Sequence, residues 1–324
     1  MKRWSGIILA STLSLAGCGS VIDDPERAVK ERKEMAVVLS DVGLGDQSFS
    51  DAAMSGMALL REKEGWSIDY RELNETKTYK VAFEALAKKK PTVIVGLGFM
   101  GQTDLETVAK KYPKQQFALI DAISTLPNVL SVTFKEDEGS YLAGAAAGIQ
   151  TKTNTIGFVG GMKSPLIEKF EKGYIAGAKA VNPKTKVLVE YAEDFAAPEK
   201  GRTLANEMMQ KKADVLYAAA GLTGSGVLEA AQTKGKKAIG VDSDQTPIAP
   251  DAVMTSMLKQ VDLAITKIGQ DVAAKGLQSG QVVLGVKEGA IQLAPIRNTN
   301  FTDGERKKLE QLQQDVLEGK VTIQ

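Results

Sequence analysis

No histidine occurs anywhere in the 324 residues, and cysteine occurs once, at Cys18. The missing imidazole removes His-dependent catalytic triads, and with a single thiol the usual zinc sets go too. One cysteine also rules out an internal disulfide. Neither a G-x-x-x-x-G-K-S/T phosphate loop nor a G-x-S-x-G nucleophile turn is present. Charge of one sign is lacking as well: 41 basic residues face 40 acidic ones, so there is no overall positive excess of the kind nucleic-acid binding requires. Beyond the amino-terminal stretch, no apolar run is long enough to cross a bilayer.

What is present begins with an export signal. Lys2 and Arg3 precede an apolar stretch from Ile7 to Leu15, and Leu15-Ala16-Gly17-Cys18 closes it with small residues before the cysteine. This is the lipobox pattern of bacterial lipoproteins. Residues 1–17 are expected to be a signal peptide, and Cys18 to carry lipid at the mature amino terminus; an ordinary secretory leader with a coincidental cysteine is the plainer alternative. Removing Lys2 and Arg3 with the leader leaves 39 basic residues against 40 acidic. Residues 18–34 are charged and lack a periodic apolar face, which suits a lipidated tether on the extracytoplasmic face of the cell membrane.

From Met35 onward, short β-rich runs alternate with helical stretches. The expected strands begin at Met35, Ser67, Pro91, Phe117 and Val129, and the rhythm restarts at Thr155, Lys186, Asp214 and Lys237. Continuous apolar strands each followed by a helix imply parallel sheets covered on both faces. With 43% hydrophobic residues over a length that exceeds one ordinary core, two such sets imply an α/β protein with two doubly wound parallel-sheet lobes joined by a hinge. The first lobe is expected to take residues 35–137 plus 246–278, and the second 138–245 plus 279–324. The helix starting near Glu136 is the first passage between them, and a helix from Asp303 to Glu318 closes the chain.

In open parallel sheets, ligands bind outside the carboxyl ends of the strands. Unusual residues gather there: Asp41 to Phe49 after the first strand, Gly96 to Gly101 after the third, Asp121 after the fourth, then Gly221 to Gly226 and Asp242 to Gln245. Gly96-Leu-Gly98-Phe-Met-Gly101 fits G-x-G-x-x-G with Asp121 twenty residues on, as a dinucleotide site asks. Export and the absence of a proton-relaying histidine favour a tight cleft-lining turn instead. Asp41 and Asp46 as an acid and base pair for glycoside hydrolysis is a further reading, but nothing in the sequence sets their separation. No cofactor and no enzymatic activity are expected. Carboxylates at a cleft accept strong hydrogen bonds from hydroxyls, and an aromatic ring stacks on a flat partner. Asp plus Phe therefore points to a sugar carrying a ring.

At these residues the chain resembles the basic membrane protein family, lipoprotein relatives of periplasmic binding proteins that include purine-nucleoside receptors of ABC importers. The resemblance runs through SDVGLGDQSF, FALIDA, SVTFKEDEGSYLAG, IGFVGGM, AAAGLTGSGV, IGVDSDQ and TSMLKQVD, in order, across nearly the whole mature chain. It implies a type I periplasmic-binding-protein-like fold, a purine nucleoside ligand and a membrane permease as partner. By the same resemblance Phe49 stacks on one face of the purine and Tyr217 on the other, Asp121 reads the base edge, and Asp242 holds the ribose with backbone near Gly221. Lys259 stands at the cleft, and Asp41 contacts the ligand or orders its loop. Tyr217 also reads as a buried strand residue, and Lys259 as a helix partner of Asp262. The loop before Phe49 is one residue shorter than the common family form, and Ser50 stands where asparagine is frequent, which bears on base preference more than on ligand class. A surface-signalling or adhesive lipoprotein of the same fold is the alternative function.

Overall fold

The computed structural model describes residues 33–323; the expected leader, most of the tether and Cys18 lie outside them. Glu34, assigned above to the tether, is already the first residue of β1 (Glu34–Val38). Strands β2 (Ser67–Arg71), β3 (Val93–Leu97), β4 (Phe117–Ile120) and β5 (Val129–Phe134) follow, and then β6 (Thr155–Gly160), β7 (Lys186–Tyr191), β8 (Val215–Ala219), β9 (Lys237–Asp242), β10 (Val253–Lys259), β11 (Gly280–Leu284) and β12 (Ile291–Leu293).

These strands build two six-stranded sheets of matching order, β2-β1-β3-β4-β5-β11 and β7-β6-β8-β9-β10-β12. All pairings are parallel except β10 with β12. Every residue of β3, β4 and β5 is buried, as expected for strands covered on both faces. The edge strands β2 and β7 are only half-buried. In each sheet the order reverses between its first and third strands, the switch point at which loops diverge to leave a crevice.

The expected partition between lobes needs correction after residue 245. β10 pairs with β9 in the second sheet, whereas β11 pairs with β5 in the first and β12 returns to the second. The chain thus crosses between lobes three times, near residues 135, 260 and 285–290. Backbone hydrogen bonds tie the crossings together: Lys135 N–H donates to Leu284 O (2.9 Å) and Gln260 N–H to Ala290 O (2.9 Å).

Helix Glu136–Gln150 carries the first crossing and packs on helix Pro165–Val181. Their small residues let the backbones touch: a Cβ on Gly177 would lie 1.8 Å from Tyr141 O, and one on Gly144 2.0 Å from Tyr174 O. One apolar cluster runs through both sheets, joining Val37, Val95 and Phe134 to Phe158, Tyr217 and Met257.

Candidate ligand-binding site

The carboxyl ends of both sheets face a common cleft of about 680 Å³, counting space open to solvent, a size ordinary for small-molecule sites. The first lobe contributes the loop after β1, Leu97 to Met100 after β3, and Asp121 after β4; the second contributes Phe170, Phe195, Gly221, Asp242 and Lys259.

The loop after β1 is shaped by its own acids. Asp46 is buried, and its Oδ1 accepts from Ser48 N–H (3.0 Å) and Asp51 N–H (3.2 Å) while Oδ2 accepts from Ser50 N–H (2.8 Å). Asp51 accepts from Gly45 N–H (2.9 Å) and Gln47 N–H (3.0 Å). The amides that open helix Phe49–Glu64 are therefore taken by side chains of the same loop, which leaves no phosphate-binding nest. Burial raises the Asp46 carboxyl above the usual range even though these amides pull it down. Asp41 is exposed and lines the cleft.

Phe49 is the first helical residue, and its ring stands over the loop at Gly98, where a Cβ would come within 3.7 Å of it. Gly98 has φ 84°, so glycine is needed there for conformation as well as space. Ser50 does not line the cleft: it is fully buried, and its hydroxyl bonds that of Ser40 (2.7 Å).

Asp121 and Asp242 end β4 and β9 in left-handed backbone, with φ 68° and 64°. Lys259, at the end of β10, donates to Asp121 Oδ2 (2.5 Å) and lies 3.1 Å from Glu136 Oε1, and all three side chains are almost wholly buried. The rings of Phe134, Phe49 and Phe170 surround the ammonium, with centroids 4.9, 5.3 and 5.7 Å away. Burial disfavours its charge, but Asp121, Glu136 and Asp242 outweigh that and hold its pKa above the usual lysine value. Burial pushes the carboxyls of Asp121, Glu136 and Asp242 upward, against the pull of Lys259. Lys259 thus pairs across the cleft to Asp121 and at the hinge to Glu136, rather than with Asp262.

Asp121 Oδ1 is buried without a hydrogen-bond partner among the described residues. Asp242 Oδ2 accepts a very short hydrogen bond from the Ser48 hydroxyl. Ser243 Oγ (2.8 Å) and Gln245 Nε2 (3.3 Å) donate to Gln47 O. These contacts join the first lobe's opening loop to the second lobe.

Tyr217 is a correction. It is fully buried in the middle of β8, its hydroxyl 3.2 Å from Ser140 Oγ and its ring packed on Phe158 and Tyr174 at centroid distances of 5.7 and 5.1 Å. It does not line the cleft. The second lobe offers two aromatics there instead, Phe170 and Phe195; the latter lies in the connection after β7, seated on Gly161, where a Cβ would come within 2.2 Å of its ring. Phe195 carries a signal like that of Phe49, an aromatic directly after acidic residues (EDFAAP) in the loop at a strand's carboxyl end. Glu136 was also missed as part of the site, since a glutamate opening a helix ordinarily only complements its dipole.

Comparison with known proteins agrees with this arrangement. Residues 33–323 match the family model Bmp, described as ABC transporter substrate-binding protein PnrA-like. The chain is 32% identical to "ABC transporter nucleoside-binding protein BmpA" of Lactococcus lactis, covering 98% of this chain and 97% of that one. It is 33% identical to the "CD4+ T-cell-stimulating antigen" of Listeria monocytogenes, covering 98% and 96%. Among solved structures, an ABC transporter solute-binding protein from Aeropyrum pernix superposes with a TM-score of 0.82 at 27% identity, covering 90% of this chain and 92% of that one. The fold is that of type I periplasmic binding proteins, and the chain belongs to the Bmp family of PnrA-like ABC transporter substrate-binding proteins.

Proposed function

We propose that this protein is a lipid-anchored extracytoplasmic receptor that captures a purine nucleoside between its lobes and presents it to the permease of an ABC importer. The observation that carries the reading is Asp121: a buried carboxylate with one oxygen lacking a hydrogen-bond partner among the described residues, lining a cleft that Phe49 enters from one lobe and Phe195 from the other. A buried acceptor left unpaired is costly, and the donor edge of a purine held between two rings satisfies it. Asp242 and the backbone at Gly221, which has φ 54°, stand where ribose hydroxyls need acceptors and donors. Asp41 contacts the ligand at the exposed rim. Lys259 neutralises Asp121 in part by pairing with its other oxygen. Ser50 acts indirectly, by holding the opening loop. The nucleoside-binding name of the Lactococcus relative supports the same ligand class. Anchoring rests on the lipobox at Cys18, and relatives named as lipoproteins support it.

Titration calorimetry with nucleosides tests the site. Asp121→Ala, Phe49→Ala and Phe195→Ala are each expected to weaken binding at least ~10-fold, the loss of one charge-assisted hydrogen bond or one stacked ring. Unchanged affinity in all three rejects the site. Nucleoside monophosphates are expected to bind far more weakly than nucleosides, because among the described residues Asp41, Asp46, Asp121 and Asp242 line the cleft against a single cation, Lys259.

A further inference from the structure

The near balance of total charge hides a local imbalance at the end of the first sheet that faces away from the cleft. The connections entering β3 and β4 carry Lys88, Lys89 and Lys90, and Lys110, Lys111 and Lys114, all exposed. β3 pairs with β4, so the two runs lie side by side. Among the described residues, only Lys89 and Lys111 have an acidic partner, Asp69 at 2.7 Å and Glu84 at 3.0 Å. Lys90, Lys111 and Lys114 line a shared depression with Pro91, Thr92 and Tyr112.

Helix dipoles account for part of this cluster. Lys88, Lys89, Lys110 and Lys111 stand in the last turns of helices Tyr79–Lys89 and Gln102–Lys111, where cations offset the terminal carbonyls. Lys90 and Lys114 lie beyond those helices. Lys90 moreover occupies left-handed backbone (φ 57°, ψ 51°), the helix-terminating conformation that favours glycine.

The chain enters the folded body at the border of the same cluster. Glu34 N–H donates to Thr92 Oγ1 (3.0 Å), and β1 lies beside β3. The described chain therefore begins next to these lysines. The cleft loops leave the opposite ends of the same strands, roughly 15 Å away at the ordinary rise per strand residue.

We propose that this lysine cluster docks the first lobe onto anionic lipid headgroups beside the anchor, leaving the cleft open to solvent. The inference rests on the anchored reading above. Attraction to an anionic leaflet falls off within about 8 Å at physiological salt, so it acts only on a body whose attachment already brings the patch to the surface. Delivery to a permease needs the cleft turned toward the bilayer, so the docked pose is one the receptor leaves.

The test uses the lipidated protein, whose only native cysteine is then blocked, with a fluorophore at Pro113→Cys beside the patch or at Ile123→Cys on the cleft side. Energy transfer to a headgroup acceptor is expected to be higher from Pro113 than from Ile123, by on the order of threefold or more, in vesicles rich in phosphatidylglycerol. The two are expected to be equal in phosphatidylcholine vesicles and in high salt. Lys90→Gly with Lys114→Gln is expected to abolish the difference while Lys90→Gly raises Tm, so that a lost signal is not a lost fold. Equal transfer from both labels in anionic vesicles, or a difference that survives the two substitutions, overturns the proposal. Failure to float with phosphatidylcholine vesicles is a separate result that rejects the anchor. In that case neither label is expected to transfer, and the docking falls together with the anchor.

Discussion

Asp121 and Asp242 hold a backbone conformation that few side chains other than aspartate and asparagine tolerate, and both are buried where their charge is disfavoured. For Asp242 the groups that face it are Lys259, Ser48, Asp46 and Glu136. Burial sets its carboxyl above the ordinary value of 3.8, so the folded protein holds that proton more tightly than the unfolded chain. Its contribution to stability is fully present below the ordinary value and is lost as pH rises through the elevated one. Asp242→Asn removes the charge and keeps an acceptor for Ser48. Its Tm relative to the native protein is therefore expected to rise between acid and neutral pH, measured by thermal unfolding without ligand; a difference independent of pH contradicts the assignment. Tyr217→Phe removes only the bond to Ser140, so nucleoside affinity is expected to stay within about twofold while stability drops by about 1 kcal/mol. Phe49, Asp121 and Asp242 were legible in the sequence because each breaks the character of its loop. Tyr217 was misleading because a tyrosine two residues before the end of a strand points into the core or out of it according to the register of the pleat, which one sequence does not reveal.

The helices depend on close contact as much as on pattern. At Gly177 the neighbouring backbone leaves no room for a methyl group, so Gly177→Ala must push helix Pro165–Val181 off helix Glu136–Gln150. The expected loss is about 1–3 kcal/mol or more, read as a lower denaturant midpoint with unchanged slope. The alternation of strand and helix was plain from residue 35 to residue 245, since fully buried parallel strands are unbroken apolar runs and their helices are not. Beyond that point the sequence misled. β10 has seven residues but β11 and β12 only five and three, and which sheet each joins is decided by which edge remains uncovered, β9 for one and β5 for the next. An edge left open by the fold carries no mark in the residues of the strand that fills it.

The two sheets share one apolar cluster and three crossings, so they are expected to unfold together. Calorimetry of the ligand-free protein is expected to show a single transition; two resolved peaks would mean that the lobes are energetically separate. The charge network has a similar reach. Lys259 ends β10 one residue before the second crossing and is bonded to Asp121 in the other lobe and to Glu136 at the first crossing, so two crossings and the cleft meet in one side chain.

The late return of β11 bears on how the protein is made. Until residue 284 has been synthesised, β5 is an unpaired edge and the first lobe is incomplete, although its other strands were made more than a hundred residues earlier. An exposed parallel edge of that kind is a site for mispairing with other chains. The newly made chain is therefore open to mispairing along β5 for most of its synthesis, and a version ending before Gly280 is expected to aggregate rather than persist as half a molecule.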